Sequence, residues 1–193
     1  MKILRPALVL TLFFVLLTGL AFPLLITGIA QALFPGQANG SMVIAEGKVV
    51  GSSLIGQSFS DEKFFHPRPS SGGYDANNSG GTNLGPTNPK LLQGADGFDG
   101  VKQLAAQYRA FNAVGEDVVL PADAVTRSGS GLDPHISVEN ALLQAGRVAR
   151  ANQVEKARIE ALIGELAETP LLGLGEKRYV NVLLLNRAVK ELK

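Results

Sequence analysis

The stretch that decides the fold is Ala7–Phe34, which reads ALVLTLFFVLLTGLAFPLLITGIAQALF. A helix that crosses the hydrocarbon layer of a bilayer needs roughly 20 apolar residues, and this stretch is longer. Charged residues are absent from it and resume only at Glu46. The sequence therefore predicts a transmembrane helix over residues 7–34, between a short N-terminal segment, residues 1–6, and a domain formed by residues 35–193.

The charges that flank this helix predict its orientation. Lys2 and Arg5 precede it, whereas no positive charge follows it until Lys48. Positively charged residues beside a first span tend to stay in the cytoplasm. Residues 1–6 are therefore expected to be cytoplasmic and residues 35–193 extracytoplasmic.

A cleaved signal peptide is the alternative interpretation of the same stretch. Ala30-Gln31-Ala32 fits the small-x-small cleavage pattern, and cleavage after Ala32 would release a secreted binding protein. The apolar core of a signal peptide is usually ~7–15 residues, so this longer stretch favours a retained anchor.

Gly28 and Ala32 also give the span a small-residue face for another helix, and Pro23 predicts a kink.

Composition excludes several classes of function. The formal net charge is +1, which argues against nucleic-acid binding, because a phosphate-tracking surface needs an excess of Lys and Arg. The chain has no cysteine and two histidines, so disulfide scaffolds, thiolate metal sites and a typical zinc site are not expected. The sequence also contains neither a phosphate-binding P-loop nor a potassium-selective filter motif, and one span cannot form a pore.

The rest of the chain predicts an α+β fold, in which a single mixed α/β domain follows the span. Apolar runs at Met42–Ala45 and Val49–Ile55, separated by Glu46-Gly47, predict a β-hairpin. Ser58–Phe65 suggests a short helical turn, and no regular element is expected from Pro67 to Asn88.

Helical signals follow this irregular stretch. Asn88-Pro89 is typical of a helix start, and Pro121–Val125 predicts a short helical turn. The first helix is expected to carry one apolar face, formed by Phe98, Val101, Leu104, Ala105 and Tyr108. Asp133-Pro134 repeats the start signal before a helix whose inner face is Val138, Ala141, Leu142, Ala145, Val148 and Ala149.

Two further elements are expected towards the C-terminus. Asn152 is expected to cap a helix that continues to about Glu168. Tyr179–Leu192 has an ambiguous period, because Asn181 as an N-cap favours a helix while the β-branched start allows a strand.

The segment Ser128–His135, SGSGLDPH, combines residue types used in catalysis. Ser130, Asp133 and His135 would suit an anchored extracytoplasmic hydrolase, but a hydrolytic triad is normally assembled from distant parts of a chain. A tight turn onto a capped helix explains the residues better, and such a turn can also receive an anion. The sequence therefore predicts neither a catalytic residue nor a metal-ligating set.

The Gly-, Ser- and Asn-rich stretch Ser70–Asn88 has two interpretations. It could be a flexible linker, or it could be an ordered loop that presents backbone groups at the surface. Tyr74, Leu84 and the preceding Phe64–Pro69 favour the ordered loop, because linkers rarely contain aromatic residues and paired prolines.

Six segments together carry a family resemblance. They are Leu54–Gln57, Phe65–Ser70, Gly73–Ala76, Ser79–Gly85, Ser128–Ser137 and Tyr179–Leu183. With the N-terminal span, they make the chain resemble the C chain of the Kdp potassium-transporting ATPase over essentially its full length. The resemblance implies an accessory subunit in a bacterial inner membrane, within a complex that hydrolyses ATP to import potassium.

The resemblance also implies partners and a role. The partners are a potassium-binding channel-like subunit, a P-type ATPase subunit, a small single-span peptide and membrane lipid. The chain would assemble the complex and act as a catalytic chaperone that raises the affinity of the ATPase subunit for ATP. It would have no cofactor of its own, since ATP and potassium belong to the complex.

Site residues follow from the same resemblance. The expected nucleotide-binding residues are Ser128, Gly129, Ser130, Gly131, Gln144 and Arg147. The expected interface residues are Phe65, Arg68, Tyr74, Asn83, Asp133 and His135 in the domain, with Gly28 and Ala32 in the span. Because the flanking charges place the domain where ATP is absent, the effect on ATP is either indirect or a property of the isolated protein. We expect the domain to cap the potassium entrance.

Overall fold

The computed structural model describes residues 3–170 and 178–192. The N-terminal stretch forms one apolar helix, Leu4–Leu33, of 30 residues, in which an 18-residue window has a mean hydropathy of 2.6. It consists of α1, Leu4–Leu16, a π-helical segment, Leu17–Ala21, and α2, Phe22–Leu33. The predicted span is thus confirmed as a helix long and apolar enough to cross a bilayer.

The π-helical segment ends at Ala21, two residues before Pro23. Proline has no N–H to donate and its ring crowds the carbonyl four residues earlier, so the backbone widens there instead of continuing as a regular α-helix. Met1 and Lys2 of the predicted cytoplasmic segment lie outside the described residues.

The described contacts divide the chain into two units, one up to Ser52 and the other from Ser53. In the first unit, α3, Pro35–Ala38, follows the span and leads to strands β1, Met42–Ala45, and β2, Lys48–Ser52. The strands are antiparallel, and Ala45 faces Lys48 across a two-residue turn.

Glu46 and Gly47 form this turn with positive φ angles of 50° and 74°. Two residues with positive φ are typical of the tight hairpin turn whose twist matches that of the strands. The predicted hairpin is therefore confirmed, although β2 ends at Ser52 and not at Ile55.

The second unit contains six helices and two short strands among the described residues. The helices are α4 Pro89–Gln93, α5 Val101–Asn112, α6 Ala122–Val125, α7 Val138–Asn152, α8 Lys156–Leu166 and α9 Val182–Glu191. Strands β3, His135–Ser137, and β4, Tyr179–Asn181, pair antiparallel, and Ile136 faces Val180. The mixed helix and strand content confirms the predicted α+β class.

The predicted start of α7 at Pro134 is wrong. Asp133 instead accepts a hydrogen bond from the backbone N–H of His135 at 3.0 Å, which turns the chain into β3. The N-cap of α7 is Ser137, whose Oγ accepts a hydrogen bond from Asn140 N at 3.1 Å. Pairing of β3 with β4 therefore delays the helix beyond its sequence signal.

Asn88 caps a helix as predicted, since its side chain accepts a hydrogen bond from Lys90 N. That helix ends at Gln93, and Gly94, which has a φ of 81°, forms its C-cap. The predicted single helix is thus divided, and Phe98 lies between α4 and α5. The positive φ of Gly94 explains the break, because glycine adopts it without steric cost.

Asn152 was predicted to cap a helix, but it is the last residue of α7. Its Nδ2 donates hydrogen bonds to Val148 O and Lys63 O, both at 2.8 Å. The next helix, α8, starts after Glu155 and ends at Leu166. Ser58–Phe65 forms turns and no helix.

Both interpretations of Tyr179–Leu192 are present in the structure. Tyr179–Asn181 is strand β4, and Asn181 then caps α9 by accepting a hydrogen bond from Leu184 N at 3.1 Å. The β-branched start and the N-cap signal therefore describe two consecutive elements.

The core of the second unit lies between α7, α8, α9 and the two short strands. Its buried members are Phe65, Ile136, Ala141, Ala145, Val148, Ala149, Ile159, Ile163, Val180, Val182, Leu185 and Val189. The predicted inner face of α7 is correct except at Leu142, which is 40% exposed. Residues 67–88 form no helix or strand, as predicted.

Candidate functional site

Residues 65–88, called here the docked loop, are held at their start by two buried amide side chains. Asn186 accepts a hydrogen bond from Phe65 N at 2.7 Å and donates one to Phe65 O at 2.9 Å. Gln144 does the same for His66, at 2.8 Å from its N–H and 3.1 Å to its carbonyl. The two side chains thus substitute for a neighbouring strand, and they satisfy backbone groups that would otherwise be buried unpaired.

Arg147 extends this arrangement to the segment just before the docked loop. Its Nη1 donates to the carbonyls of Glu62 and Phe64 at 2.5 and 2.8 Å, and its Nε donates to Asn112 Oδ1 at 2.9 Å. Its Nη2 donates to Gln144 Oε1 at 2.9 Å. The guanidinium group therefore fixes three chain segments at one point.

Burial changes the acid–base properties of this cluster. Desolvation lowers the pKa of Arg147 to about 10. Desolvation and the nearby charge of Arg147 lower the pKa of His66, against a smaller opposing effect of Asp61. The Phe111 ring contacts both groups, with its centroid 4.8 Å from the His66 ring and 4.5 Å from the Arg147 guanidinium carbon. The cluster therefore favours a neutral His66 beside a charged arginine.

Residues 128–133, called here the receiving segment, form hydrogen bonds along the docked loop. Ser128 N donates to Pro69 O at 3.1 Å, and Gly80 N donates to Ser130 O at 2.8 Å. Ser70 Oγ donates to Gly131 O at 2.7 Å. These contacts show that the Gly-, Ser- and Asn-rich stretch is an ordered loop and not a linker.

Glycine is required where these two segments approach each other most closely. Gly131 has a φ of 71°, and a Cβ there would lie 2.9 Å from Gly80 O. A Cβ at Gly81 would lie 2.8 Å from Gly129 O. A Cβ at Gly129 meets no atom within 4 Å, so the two glycines of the Ser-Gly-Ser-Gly turn are not equivalent.

An ion pair between Arg68 and Asp133 joins the docked loop to the receiving segment. Arg68 Nη1 lies 2.9 Å from Asp133 Oδ2, and both side chains are partly exposed. Burial by itself raises the pKa of Asp133, but hydrogen bonds from His135 and Arg68 outweigh that effect and lower it to about 2. Asp133 is therefore ionised across the physiological pH range.

The catalytic-triad hypothesis fails on geometry. Ser130 Oγ accepts from Leu132 N at 3.1 Å and lies 3.3 Å from Ser128 Oγ. The His135 ring instead packs edge-on against Tyr179, with ring centroids 4.8 Å apart. Within the described parts of the chain, no hydrogen bond joins Ser130 to His135, so these residues do not form a nucleophile–base pair.

The six residues expected to bind nucleotide fall into two groups. Gln144 and Arg147 are 1% and 3% exposed, and their polar atoms bond within the chain. Ser128–Gly131 lies against the docked loop, and the nearest following helix starts only at Val138. The arrangement expected for an anion, a turn placed directly on a helix N-terminus, is therefore not present there.

The remaining expected interface residues differ in exposure. Phe65 is fully buried, so its side chain anchors the start of the docked loop in the core. Tyr74 is partly buried, and its hydroxyl donates to Arg68 O at 2.6 Å. Burial raises the pKa of Tyr74 to about 12. Asn83 is exposed in the docked loop, and Gly28 and Ala32 are exposed on the span.

A comparison with known families decides the class of this protein. Residues 4–191 match the family model described as KdpC, the c chain of a K+-transporting ATPase. The chain belongs to the KdpC family.

Curated relatives agree over nearly the full length. Proteins named potassium-transporting ATPase KdpC subunit are 48% identical in Mycobacterium tuberculosis and 51% identical in Rhodospirillum rubrum. The alignment with the M. tuberculosis protein covers 98% of this chain and 98% of that relative. The alignment with the R. rubrum protein covers 99% of this chain and 96% of that relative. The KdpC resemblance predicted from the sequence is therefore confirmed, and with it a place among the subunits of K+-transporting ATPases.

Sequence reasoning missed three asparagines that complete the site of this KdpC chain. Asn140 accepts hydrogen bonds from the Tyr108 hydroxyl and from Gln144 Nε2. Asn152 and Asn186 hold backbone at Lys63 and Phe65. A signal was present, because Asn140, Gln144 and Asn152 share the helical face of the apolar residues, where a polar side chain needs a buried partner.

Proposed function

We propose that this chain is an accessory, non-transporting subunit of an ATP-driven potassium import complex in a bacterial inner membrane. Its N-terminus is cytoplasmic and the domain after the span is extracytoplasmic. Family membership supports the pump complex, and the charge difference between Arg5 and the uncharged residues after the span supports the orientation.

The domain acts as an assembly element that caps the potassium entrance of the channel-like subunit. The observation that carries this proposal is the docked loop, whose exposed residues are ordered without any helix or strand. Gln144 and Asn186 hold its start, and Ser128–Asp133 holds its middle. A loop held this way loses little conformational entropy when a partner binds, which favours its use as a docking surface.

The chaperone effect on ATP affinity reaches the ATPase subunit through the assembled complex. Four hydrogen bonds of Arg147 and Gln144 support an indirect route. Arg147 donates to Glu62 O and Phe64 O, and Gln144 Oε1 already accepts hydrogen bonds from His66 N and Arg147. A phosphate group could bind these side chains only if they released backbone groups in the core, which would then be left unpaired.

Topology can be tested with single cysteines, because the chain has none. Val119→Cys, at an 89% exposed position, is expected to react with a membrane-impermeant maleimide in intact spheroplasts. Ile3→Cys, on the other side of the span, is expected to react only after lysis. The reverse pattern would overturn the proposed orientation.

Assembly can be tested by co-purification of the complex from detergent. Asn78→Arg, on the exposed part of the docked loop, is expected to reduce recovery of the channel-like and ATPase subunits with this chain. Glu165→Arg, an exposed position on α8, is the control and should leave recovery unchanged. Equal recovery with both variants would argue against the docked loop as the interface.

Nucleotide binding is tested with the purified full chain. Titration calorimetry with ATP is expected to give no binding, while the KM of the complex for ATP rises when this chain is depleted. Saturable ATP binding that Arg147→Lys abolishes would replace the indirect route with a direct one.

A further inference from the structure

The β-hairpin beside the span exposes an aliphatic surface. Met42, Ile44 and Val49 are 55%, 57% and 62% exposed, and Ile44 lies directly opposite Val49 across the two strands. Directly paired residues of an antiparallel ladder share one face, so Ile44 and Val49 form a continuous apolar pair. Val43, between Met42 and Ile44, points inward and is buried. Contiguous exposed apolar surface of this kind marks contact sites with other proteins or with a membrane.

The chain returns to the end of the span before the hairpin begins. The side-chain amides of Gln31, in the last turns of α2, and Asn39 exchange two hydrogen bonds, at 3.1 and 3.3 Å. Asn39 Nδ2 also donates to Pro35 O at 2.7 Å, and Ser52 Oγ at the end of β2 donates to Gly40 O at 2.7 Å. These bonds hold both ends of the hairpin close to the point where the helix leaves the hydrocarbon.

We propose that the apolar face of the hairpin, Met42, Ile44 and Val49, lies in the headgroup and upper acyl layer of the leaflet in which the span ends. The hairpin would then be a second membrane contact of this chain, beside the span. This proposal needs only the anchored span, so it does not depend on which subunits the protein binds.

The chemistry of the hairpin favours a lipid interface over deeper insertion. A two-stranded sheet has unpaired backbone groups along both edges, and the hydrocarbon centre offers them no partner, whereas the wet headgroup layer does. Lys48 follows the turn, and its long stem can reach phosphates while the aliphatic side chains stay below. Glu46 balances that charge, so the contact is expected to be hydrophobic and insensitive to anionic lipid.

The absence of tryptophan makes a direct test possible. The full chain carrying Ile44→Trp is reconstituted alone into phosphatidylcholine vesicles with and without acyl chains brominated near the headgroup. We expect the tryptophan fluorescence to be blue-shifted and to lose more than about half of its intensity in brominated lipid, as for a side chain at the membrane interface. Replacing part of the lipid with phosphatidylglycerol should leave this loss unchanged.

Three further variants guard the test. Val49→Trp, the cross-strand partner, repeats the measurement if Ile44→Trp does not fold. Leu25→Trp, in the span, is the positive control and gives the quenching expected for a residue in the bilayer. Glu165→Trp, at an exposed position, is the negative control and shows whether a tryptophan by itself makes a surface bind lipid. Emission like that of aqueous tryptophan at both hairpin positions overturns the proposal. A blue shift that occurs only in the assembled complex also overturns it, because another subunit would then cover the face.

Discussion

Gln144 forms two hydrogen bonds with the backbone of His66, one from the His66 N–H at 2.8 Å and one to its carbonyl at 3.1 Å. The two residues are 78 positions apart, so one buried side chain joins α7 to the start of the docked loop. Asn186 forms the same pair of hydrogen bonds with the backbone of Phe65. The exposed part of the docked loop therefore begins from backbone whose position the core determines.

Replacement of Gln144 by alanine is expected to destabilise the domain by about 3 kcal/mol, because His66 N, His66 O and the Arg147 guanidinium each lose a buried partner. Urea denaturation of the detergent-solubilised chain, followed by circular dichroism, measures this loss. Gln107→Ala is the matched control, since Gln107 is exposed and its side chain donates to Asp99 Oδ2 at the surface. A loss below about 1 kcal/mol for Gln144→Ala would contradict the structural role assigned to it.

Arg147→Lys is expected to cost about 2 kcal/mol although the charge is kept. The planar guanidinium group donates four hydrogen bonds at once, and the ammonium group of lysine cannot reproduce their geometry. The exposed neighbour Arg150 supplies the control, because Arg150→Lys should change the free energy of unfolding by less than about 0.5 kcal/mol. Similar values for both variants would show that the charge, and not the geometry, matters at Arg147.

Gly131→Ala and Gly129→Ala form a matched pair within one turn. Alanine at 131 must adopt a φ of 71° and place its Cβ 2.9 Å from Gly80 O, so the docked loop should separate from the receiving segment. Limited proteolysis is expected to cut the docked loop of Gly131→Ala faster than that of the unmodified chain. Gly129→Ala should be cut at the unmodified rate, and equal protection of both variants would rule out the predicted close approach.

Stability is expected to fall as the pH drops below 6.5 because of His66. Desolvation and Arg147 lower its pKa in the folded chain below the ordinary value of 6.5, so the unfolded chain takes up a proton first. The stabilising contribution is present above pH 6.5 and is lost as the pH falls towards the lowered pKa. Melting temperatures between pH 5 and 8 measure the slope of stability against pH, which should be smaller in His66→Gln. An unchanged slope in His66→Gln would assign it to another group.

Local signals in the sequence predicted several elements correctly. Asn88 and Asn181 cap helices as expected, and Glu46-Gly47 forms the hairpin turn, because each depends on side chains and backbone within a few residues. The α7 start was predicted at Pro134 from an equally local signal. It failed because residues 135–137 pair with β4, which lies far along the chain.

The candidate site was predictable only in part. The Ser-Gly-Ser-Gly turn, Gln144 and Arg147 were expected from the family resemblance to bind nucleotide, and that role stays a prediction. Their surroundings were not predicted, since Gln144 and Arg147 bond to backbone at residues 62–66 that no periodicity connects to α7.

The sequence by itself determined the membrane span, the hairpin after it, the amphipathic face of α7 and membership of the KdpC family. The first three follow from hydrophobic length, turn chemistry and periodicity, which are properties of neighbouring residues, whereas family membership follows from the resemblance of whole segments and from the family match. Only the tertiary structure decided that α7 begins at Val138 after the N-cap Ser137, that Gly131 and Gly129 differ, and that Gln144 and Arg147 bond to the backbone of residues 62–66. Each of these depends on burial against distant segments, where an unpaired polar group or an extra Cβ is too costly to be tolerated.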